Sequence, residues 1–540
     1  MNATNRSVCR AFILALLALG LLTPPLRAAE SPHAIKGSLI IHGGGNMPDS
    51  VIKEFIKLAG AGEGKLVIIP TASVTTEEVE SEKYAKAWQE RGFKDVTVLH
   101  TVSRDKANQK DFAAPLTKAT AVWFVGGLQS RLEAAYGGTL VEKELHNVLE
   151  RGGVIGGTSA GAAIMSRTMI RKNNPEPEMG TGFGLIPGAI IDQHFAQRER
   201  KPRLLKALKD HPGVAGYGID EGTALVLRGR FMRVFGEGNV TIILGASKTR
   251  PVREIVLKEG GYADLMAMHR AAIARSGDTF PPTEFPAPRA VGKGTLVIVG
   301  GGGTPPDALK IFMEEAGGPD APIVIISNAL GDNVPAERVG EVRMLERVGA
   351  KNIKVIHARS PEEAGTEAIL KPIREAKGIW FTGGRQWRFV DAYEGTPAVK
   401  AMHEVLEKGA VIGGSSAGAT IQGEYLVRGD PLGNTNMMAE GYERGFGFIT
   451  GVAIDQHFAQ RKRFKDMEDV KRTFPQLLGF GIDEGTAAIV KGYDLRVVGK
   501  GSVHIYDRPL PDDANDSNDE PFTKVAPGEK YDLKSKKKVE

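Results

Sequence analysis

The same arrangement of a serine, a histidine and a glutamate occurs twice in this 540-residue chain. Residues 152–163 are GGVIGGTSAGAA and residues 409–420 are GAVIGGSSAGAT, so the two serines are 257 residues apart. Each serine is followed by DQHF and then by GIDEGTA, with the histidine and the glutamate 27 positions apart in both copies. The residues are Ser159, His194 and Glu221 in the first copy and Ser416, His457 and Glu484 in the second. This duplicated spacing predicts two homologous lobes, each with its own site.

The repeat extends to the apolar segments around the motifs. GSLIIHGGG (37–45) matches GTLVIVGGGG (294–303), and AVWFVGG (121–127) matches GIWFTGG (378–384). Such short β-branched runs that end in glycine are typical of buried parallel strands. Amphipathic helical patterns, such as the one at 140–153, lie between them. The alternation predicts an α/β fold of two tandem doubly wound lobes with mostly parallel sheets and helices on both faces.

The boundaries of the lobes follow from where the repeat begins and ends. Residues 253–265 resemble residues 523–533, which predicts that the C-terminal segment is the closing strand of lobe two. The predicted units are lobe one at 30–268, a proline-rich linker at 269–292, and lobe two at 293–540 with a flexible acidic insertion at 508–522.

The N-terminus has the layout of a secretory signal peptide. Arg6 and Arg10 precede an apolar run at 11–22, and a small-residue site follows around Ala28. Residues 1–28 are therefore predicted to be a signal peptide, and the protein is expected to be exported, to the periplasm or the medium. The apolar run is shorter than the roughly 20 residues of a membrane-spanning helix, so no membrane span is expected.

Loss of the signal peptide changes the charge and the chemistry of the chain. Three arginines leave with it, so the formal net charge falls from +5 to +2, and no nucleic-acid partner is expected. Cys9, the only cysteine of the sequence, also lies in this segment. A thiol nucleophile, a disulfide framework and cysteine metal ligands are therefore excluded for the mature protein.

The serines lie in G-x-S-x-G motifs directly after an apolar strand pattern. A serine at such a strand-to-helix turn exposes its hydroxyl at the edge of the sheet. Nearby amides can stabilise a developing oxyanion. The predicted donors are the amides after each serine and those of the glycine strand ends, namely Ala160, Gly127, Ala417 and Gly384.

The histidines are candidate general bases, because an imidazole can take the serine proton and return it to a leaving group. Glu221 and Glu484 are candidates to orient them, with the adjacent Asp220 and Asp483 as alternatives that the sequence does not separate. The order Ser, His, Glu differs from the Ser, acid, His order of the α/β-hydrolases. The pattern therefore predicts a serine hydrolase of another family.

Together, GG-[TS]-SAGA, FxGGxQ, DQHFxxRxR and GIDEGTA resemble the cyanophycinase and dipeptidase E family of serine peptidases, once per lobe. The resemblance implies a fold similar to that of class I glutamine amidotransferases (flavodoxin-like), a Ser-His-Glu triad in each lobe, and no metal or organic cofactor. It also implies a set of substrate-binding residues in each lobe. These are Gln129, Asp192, Gln193, Arg198, Arg200 and Arg203 in lobe one and Gln386, Asp455, Gln456, Arg461 and Arg463 in lobe two.

Cyanophycin, the substrate implied by the resemblance, has an aspartate backbone with arginine attached through the β-carboxyl group. Arginine side chains suit its α-carboxylates, because a guanidinium binds a carboxylate through two hydrogen bonds. The expected function is an exported serine peptidase that cleaves cyanophycin or related β-aspartyl peptides through an acyl-enzyme. The alternatives are an isoaspartyl dipeptidase or amidase on the same fold, and a binding protein with one or both sites inactive.

Lobe two departs from the family pattern more than lobe one. Asp466 stands where lobe one has Arg203, which reverses the charge at that position. The residue before the cleft glutamine, usually aspartate in cyanophycinases, is Leu128 or Arg385. Lobe two also has six extra residues between serine and histidine, 41 against 35. The two sites are therefore expected to differ, while the lobes are expected to pack as an intramolecular pseudo-dimer that could also form homo-oligomers.

Overall fold

The computed structural model describes residues 34–61, 63–173, 176–277, 279–284, 290–510 and 520–539. The predicted signal peptide, residues 1–28, lies outside the described residues, as do 285–289 of the predicted linker and 511–519 of the predicted acidic insertion. No helix in the described part of the chain is long and apolar enough to cross a membrane.

Lobe one is organised around an eight-stranded sheet in the order β14-β11-β10-β1-β5-β4-β2-β3. Strands β1 to β5 run parallel to one another, and β10, β11 and β14 extend the sheet from β1 in antiparallel pairs. The strands of this sheet are β1 (Ile35–His42), β2 (Lys65–Ile69), β3 (Asp95–Val98), β4 (Ala121–Phe124), β5 (Val154–Thr158), β10 (Thr223–Gly229), β11 (Phe231–Gly236) and β14 (Tyr262–Asp264).

Two smaller sheets complete the strands of lobe one. A four-stranded sheet has the order β13-β12-β9-β8, in which β8 and β9 are parallel, and β6 and β7 form a separate hairpin. These strands are β6 (Thr168–Asn173), β7 (Pro177–Thr181), β8 (Ala189–Gln193), β9 (Ala215–Ile219), β12 (Val240–Leu244) and β13 (Arg253–Leu257).

Helices cover both faces of the large sheet, because its central strands are apolar on both sides. Phe55, Trp88 and Trp123 pack together on one face, and Leu132, Val141 and Leu145 belong to the core on the other. The helices are α1 (Asp49–Leu58), α2 (Ser81–Gln89), α3 (Arg104–Ala107), α4 (Lys110–Lys118), α5 (Gln129–Tyr136), α6 (Leu140–Glu150), α7 (Ala160–Ala163), α8 (Lys201–Asp210) and α9 (Leu265–Ser276).

Lobe two repeats the strand order of the two main sheets, with an additional strand in each and without the separate hairpin. Its large sheet has the order β17-β16-β18-β19-β15-β23-β24-β27-β28, which matches lobe one apart from the added edge strand β28. Its second sheet has the order β20-β21-β22-β25-β26. The strands are β15 (Val291–Val299), β16 (Ile323–Ile326), β17 (Ile353–Ile356), β18 (Gly378–Phe381), β19 (Val411–Ser415), β20 (Gly423–Tyr425), β21 (Ile449–Gln456), β22 (Leu478–Ile482), β23 (Thr486–Gly492), β24 (Asp494–Gly499), β25 (Val503–Tyr506), β26 (Thr523–Val525), β27 (Lys530–Asp532) and β28 (Lys537–Val539).

The helices of lobe two again lie on both faces of its large sheet, over two separate apolar cores. They are α10 (Pro306–Ala316), α11 (Gly340–Arg347), α12 (Pro361–Ala364), α13 (Glu367–Glu375), α14 (Trp387–Tyr393), α15 (Pro397–Glu407), α16 (Ala417–Thr420) and α17 (Phe464–Thr473), with short 3₁₀ turns at Asn328–Leu330 and Ala336–Arg338. The predicted α/β class with mostly parallel sheets is confirmed in both lobes.

The C-terminal segment closes the second lobe as the repeat predicts. Strand β27 pairs antiparallel with β24, just as β14 pairs with β11 in lobe one. The predicted linker begins later than expected, because its first eight residues, up to Ser276, belong to helix α9. The apolar side chains of α9 have partners in both lobes: Ala271 belongs to the core of lobe one, and Ala267 packs in the core of lobe two.

A buried arginine joins the two lobes. The side chain of Arg230 is 2% exposed and binds Asp264 of its own lobe, with Nη2 2.9 Å from Oδ1. It also donates to Asp391 at 2.7 Å and to the hydroxyl of Tyr442 at 2.9 Å, both in lobe two. Its guanidinium carbon lies 4.4 Å from the ring centre of Trp387. Removal of this arginine would leave two buried carboxylates without their cation.

Further ion pairs surround this contact. Arg250 Nη2 lies 2.9 Å from Glu443, and Arg275 Nη2 lies 3.1 Å from Glu440, so each pair links lobe one to lobe two. The described part of the linker also lies against lobe two, where the Phe280 ring stacks on that of Tyr425. The lobes are therefore held together by polar contacts around α9 as well as by the chain itself.

Candidate active site

Each serine lies on a sharp turn at the carboxyl end of a central strand. Ser159 follows β5, which lies between β1 and β4, and it has φ 53° and ψ −111°. Ser416 follows β19 and has φ 56° and ψ −113°. Backbone of this kind is strained for a residue with a Cβ, and strain of this type is concentrated at functional sites. The backbone geometry matches the serine elbow that the G-x-S-x-G motif predicts, and both serines are partly exposed.

A histidine from the second sheet reaches the serine of lobe one. His194 follows β8, and its Nε2 lies 2.8 Å from the Oγ of Ser159. The amide of His194 donates to the carbonyl oxygen of Gly43 at 2.8 Å, which ties the histidine to the end of β1. The next residue, Gly44, has φ 104°, and a Cβ there would lie 2.2 Å from Cε1 of the imidazole. Only a glycine therefore leaves room for this ring.

A glutamate, and not its aspartate neighbour, contacts the histidine. The Nδ1 of His194 lies 2.5 Å from Oε1 of Glu221. Asp220 instead accepts hydrogen bonds from the amides of Ala196 and Asn239, both at 3.0 Å. The alternative that the sequence left open is thereby decided in favour of the glutamate, and the aspartate holds the surrounding loops.

Lobe two repeats this arrangement. The Nε2 of His457 lies 3.0 Å from Ser416 Oγ, and its Nδ1 lies 2.5 Å from Glu484 Oε1. Asp483 again binds backbone amides, and it also contacts His504. A Cβ on Gly301 would lie 2.3 Å from the imidazole, as at the equivalent glycine of lobe one. All six predicted residues are therefore brought together in two relays.

The environment keeps both imidazoles uncharged at neutral pH. Burial lowers the pKa of His194 below its usual value, Glu221 opposes this effect, and the positive charge of Arg198 lowers the pKa further. The pKa of His457 is lowered in the same way, with Arg461 in the place of Arg198. A neutral imidazole can accept a proton from the adjacent hydroxyl, which a protonated one cannot do.

The predicted oxyanion donors lie next to the serines. Ala160 and Ala417 begin the short helices α7 and α16, whose first amides lack partners within the helix. The glycine turns also approach the nucleophiles, since a Cβ on Gly126 would lie 3.4 Å from that of Ser159. The neighbouring Gly127 has φ 142°, and a Cβ there would lie 2.2 Å from the carbonyl oxygen of Ala72. Gly384, the equivalent glycine of lobe two, has a similar backbone conformation, with φ 132°.

Four of the predicted substrate residues of lobe one are held by contacts within the protein. Asp192 is fully buried and is held by Arg203, with Nε 2.8 Å from Oδ2, and by Arg200 at 3.5 Å. Gln129 is also buried, and its Nε2 donates to the carbonyl oxygen of Ile170 at 2.8 Å. These residues therefore build the wall of the site.

The rest of the predicted substrate set in lobe one differs in exposure. Gln193, directly before the histidine, is 5% exposed. The side chain of Arg198 is exposed, and among the described residues no ion pair holds it. Arg198 is therefore the predicted arginine that is most available to a substrate.

In lobe two, the expected charge reversal at Asp466 is accompanied by a different arginine beside the buried aspartate. Asp455 is fully buried and binds Arg463 at 2.8 Å, as its counterpart binds Arg200. The second guanidinium comes from Arg428, whose Nη2 lies 3.0 Å from Asp455 and 2.6 Å from Asp466. Asp466 is therefore matched by an arginine from another part of the chain, on the segment that contains the extra residues.

The remaining predicted residues of lobe two keep the roles of their equivalents. Gln386 donates to the carbonyl oxygens of Val427 and Arg428, and Arg461 is exposed. Gln456 is buried, and its Oε1 has no hydrogen-bond partner among the described residues. Arg385, which stands where lobe one has the exposed Leu128, donates to two backbone carbonyls of the extra loop.

Several residues of the site are absent from the sequence-based set. Gln197 accepts the amide of Glu221 through Oε1 at 2.9 Å, and Gln460 accepts that of Glu484 at 2.8 Å. The repeated FAQR after each histidine is the signal that could have identified these glutamines. Gly44 and its equivalent are marked by the repeated glycine runs, and Arg428 is marked only by its repeat equivalent Arg171, which does not indicate its partner.

No group of three or more histidine, cysteine, aspartate or glutamate side chains in the described ranges could hold a metal ion.

A serine on a strand-to-helix elbow, beside a histidine that contacts a glutamate, is the arrangement of a serine-type hydrolase on an α/β fold. Comparison with family models identifies the family within this class. The model of Peptidase family S51 matches residues 39–235 and again residues 293–498. The chain belongs to Peptidase family S51, as a tandem duplication of its unit, and it is a serine-type peptidase.

Individual relatives match one lobe's length of the chain. The cyanophycinase of Geminocystis herdmanii (strain PCC 6308) is 33% identical over 260 residues, which are 46% of this chain and 94% of that protein. The cyanophycinase of Trichormus variabilis (strain ATCC 29413 / PCC 7937) is 31% identical over 269 residues, 45% of this chain and 90% of that protein. A crystal structure of a peptidase from an acI-B1 Actinobacterium has 25% sequence identity and a TM-score of 0.35, and the match covers 43% of this chain and 98% of that one.

Proposed function

We propose that this peptidase hydrolyses amide bonds of cyanophycin or related β-aspartyl peptides, through a Ser-His-Glu triad in each lobe. The observation that carries the proposal is the duplicated relay. The serine hydroxyl and the imidazole are 2.8 Å and 3.0 Å apart in the two lobes, and the imidazole and the glutamate are 2.5 Å apart in both.

The reaction follows from the chemistry of these groups. Nε2 of His194 accepts the proton of Ser159 as its Oγ attacks the amide carbon, while Glu221 stabilises the imidazolium that forms. The imidazolium then donates this proton to the leaving amine, which leaves an acyl-enzyme. Water hydrolyses the ester by the reverse proton transfers. Amides beside the serine, such as that of Ala160, stabilise the negative oxygen.

The names of the relatives and the charge of the site support the substrate class. Both relatives described above are named cyanophycinases. The exposed Arg198 and Arg461 lie close enough to the histidines to lower their pKa values, so their charges reach the reaction centre. A guanidinium at this place suits a substrate that carries a free carboxylate near the scissile bond.

The first experiment asks whether the serines are nucleophiles. The mature protein is treated with a fluorophosphonate probe, alongside the Ser159→Ala, Ser416→Ala and double variants. We expect two labelled sites in the parent, one in each single variant and none in the double variant. Labelling of neither serine would favour the alternative of a binding protein with inactive sites.

The second experiment separates the possible substrates. The same variants are assayed for clearing of a suspension of insoluble cyanophycin and for release of amino acids from short β-aspartyl peptides. We expect the parent to clear the suspension and the double variant to leave it turbid. Hydrolysis of the short peptides alone would support the isoaspartyl dipeptidase alternative, and hydrolysis of simple amides would support an amidase.

We also propose that the protein acts outside the cytoplasm and that the lobes work as one body. The charged and apolar pattern of residues 1–28 supports export, and mass spectrometry of the periplasmic and secreted forms tests it by locating the mature N-terminus. The contacts of Arg230 with lobe two support the intramolecular pair. Small-angle scattering that shows two separately tumbling lobes would contradict this pairing.

A further inference from the structure

The charge of the arginine cluster beside the histidine differs between the lobes. In lobe one, the single carboxylate of Asp192 is shared by Arg200 and Arg203, so the cluster carries one excess positive charge. The side chains of these arginines are 13% and 12% exposed. An anion that reaches their exposed edges can therefore bind to the uncompensated charge.

In lobe two the corresponding cluster is neutral, and its two guanidinium groups are buried although the side chain of Asp466 is 44% exposed. Arg428 and Arg463 face two carboxylates, those of Asp455 and Asp466. The two guanidinium side chains are 3% and 5% exposed. Two positive and two negative charges leave no excess, so this cluster has no charge to offer to an anionic substrate.

The difference arises because one arginine changes partner. Arg428 is equivalent to Arg171 of lobe one, at the same offset of 257 residues as the serines. Arg171 binds Glu133 at 2.8 Å and Glu178 at 3.1 Å, away from the buried aspartate. In lobe two Val390 takes the place of Glu133, and the guanidinium turns to Asp455 instead.

The cluster of lobe one is accessible and close to the reaction centre. A groove of about 480 Å³ is lined by four cationic side chains and two anionic ones, so positive charge predominates: Arg198, Arg200, Arg203 and Lys206 against Glu176 and Glu199. The positive charges of Arg198 and Arg200 act on His194 and lower its pKa. At the position of Arg203, helix α17 of lobe two has Asp466.

The lobes also differ beside the serine, and this difference again makes lobe two less favourable for an anionic substrate. Oε1 of Glu341 accepts the amide of Gly383 at 3.4 Å, and a Cβ on that glycine would lie 3.6 Å from that of Ser416. The equivalent residue of lobe one is Tyr84, whose hydroxyl lies 3.0 Å from Ser73. Lobe two therefore has a carboxyl group on the glycine turn that approaches its serine, at a position where lobe one has a phenol.

We infer that the two sites differ in how strongly they prefer a negatively charged substrate. Lobe one prefers a peptide with a free carboxylate beside the scissile amide, whereas lobe two keeps the exposed Arg461 but lacks the excess charge of the cluster, and so has a weaker preference for that carboxylate. This inference rests on the proposed function, since it names the substrate preference of each of the two sites. The tandem chain would then cleave a wider range of products than either lobe alone.

The test compares two substrates in two variants. Ser416→Ala leaves only lobe one active, and Ser159→Ala leaves only lobe two. Each is assayed at about pH 8, where carboxyl groups with a moderately raised pKa are ionised. The substrates are β-aspartyl-arginine with the aspartyl α-carboxylate free and the same peptide with that group as a primary amide. The acid-to-amide ratio of kcat/KM should be about tenfold higher for lobe one, the effect of a hydrogen bond to a charged group.

A substitution in lobe two checks the cause. Asp466→Asn in the Ser159→Ala background removes one carboxylate from the neutral cluster, so the acid-to-amide ratio should rise towards that of lobe one. Asp469→Asn is the matched control, because Asp469 lies one turn further along the same helix, is 51% exposed and pairs with Arg472. It should leave the ratio unchanged. Equal ratios in the two single-serine variants, or no response to Asp466→Asn, would overturn the inference.

A binding measurement separates this inference from the proposed function. If neither single-serine variant hydrolyses the peptides, the proposed function is wrong. Calorimetry with the Ser159→Ala/Ser416→Ala variant then tests the charge preference alone. One site per chain that prefers the acid to the amide supports the inference, and two sites with equal preference contradict it.

Discussion

Oε1 of Glu221 lies 2.5 Å from Nδ1 of His194, while the adjacent Asp220 binds only backbone amides of neighbouring loops. The two neighbouring acids therefore have separate roles. In the proposed mechanism the glutamate orients the imidazole and stabilises its charged form, whereas the aspartate connects the loops after β8 and β9 to the start of β12.

Substitution of the two acids should separate these roles. In a Ser416→Ala background, Glu221→Gln should lower kcat by about 10²- to 10⁴-fold, because the imidazole loses the group that stabilises its protonated form. Asp220→Asn should instead lower the free energy of unfolding by about 1–3 kcal/mol, with a smaller effect on kcat. Steady-state kinetics and urea unfolding of both variants test this, and equal losses of kcat would contradict the assignment.

The activity should persist into mildly acidic solution. The neutral imidazole is the active form, and its fraction rises with pH through the histidine pKa. Because burial and Arg198 lower the pKa of His194 below 6.5, the acid limb of kcat/KM for lobe one should have its midpoint below that pH. Arg198→Gln should move the midpoint upwards, since a positive charge is lost, whereas Lys209→Gln should not move it. A midpoint above 6.5 in the parent would exclude this environment for the histidine.

Gly44 should be indispensable for the position of the imidazole. Gly44→Ala places a Cβ 2.2 Å from Cε1 of His194, so the ring must move and the activity of lobe one should fall at least about tenfold. Gly92→Ala is a matched control, because Gly92 has φ 106° against 104° and its added Cβ would meet no atom within 4 Å. Both variants should lose the free energy of unfolding that a Cβ costs at positive φ, and only the first should lose activity.

His42 should make lobe one sensitive to acid. It is fully buried in β1, and burial lowers its pKa from 6.5 to about 4, whereas the equivalent residue of lobe two is Val299. The unfolded chain therefore binds a proton between these pH values that the folded chain does not, so stability falls as the pH falls from 6.5 to about 4. The loss from this group is about 3 kcal/mol.

The variant His42→Val, which gives lobe one the residue that lobe two has at this position, should remove this loss. Hydrogen exchange of peptides from lobe one, measured at several pH values, gives the local stability. The parent and the variant should differ in how steeply stability declines with acidity, whatever their difference at neutral pH. Parallel declines would contradict the low pKa of His42.

Arg230 should hold the lobes together. Arg230→Met leaves the buried Asp264 and Asp391 without their cation and should cost about 3–5 kcal/mol. Arg253→Ala is the control, because Arg253 is 44% exposed and lies 3.4 Å from Glu440 across the same interface. It should cost less than about 1 kcal/mol. Thermal unfolding measures both, and a small effect of Arg230→Met would mean that the lobes do not depend on this contact.

The sequence by itself determined the two lobes, their α/β class, their parallel strands and the serine and histidine of both relays. Strands, the serine elbow and glycine turns depend on local backbone preferences, and the duplication showed which polar residues belong together. The closing strand of lobe two was predictable for the same reason, because residues 523–533 repeat a pattern of lobe one.

Only the tertiary structure decided which long-range partners meet. Spacing could not separate Glu221 from Asp220, since neighbouring residues differ only in the direction in which the folded strand end presents their side chains. The charge of Asp466 looked reversed in the sequence, yet Arg428, 38 residues away, binds it in the folded lobe. Partners of this kind are selected by packing between separate elements, because a buried charge must be matched by whichever opposite charge the fold brings within reach.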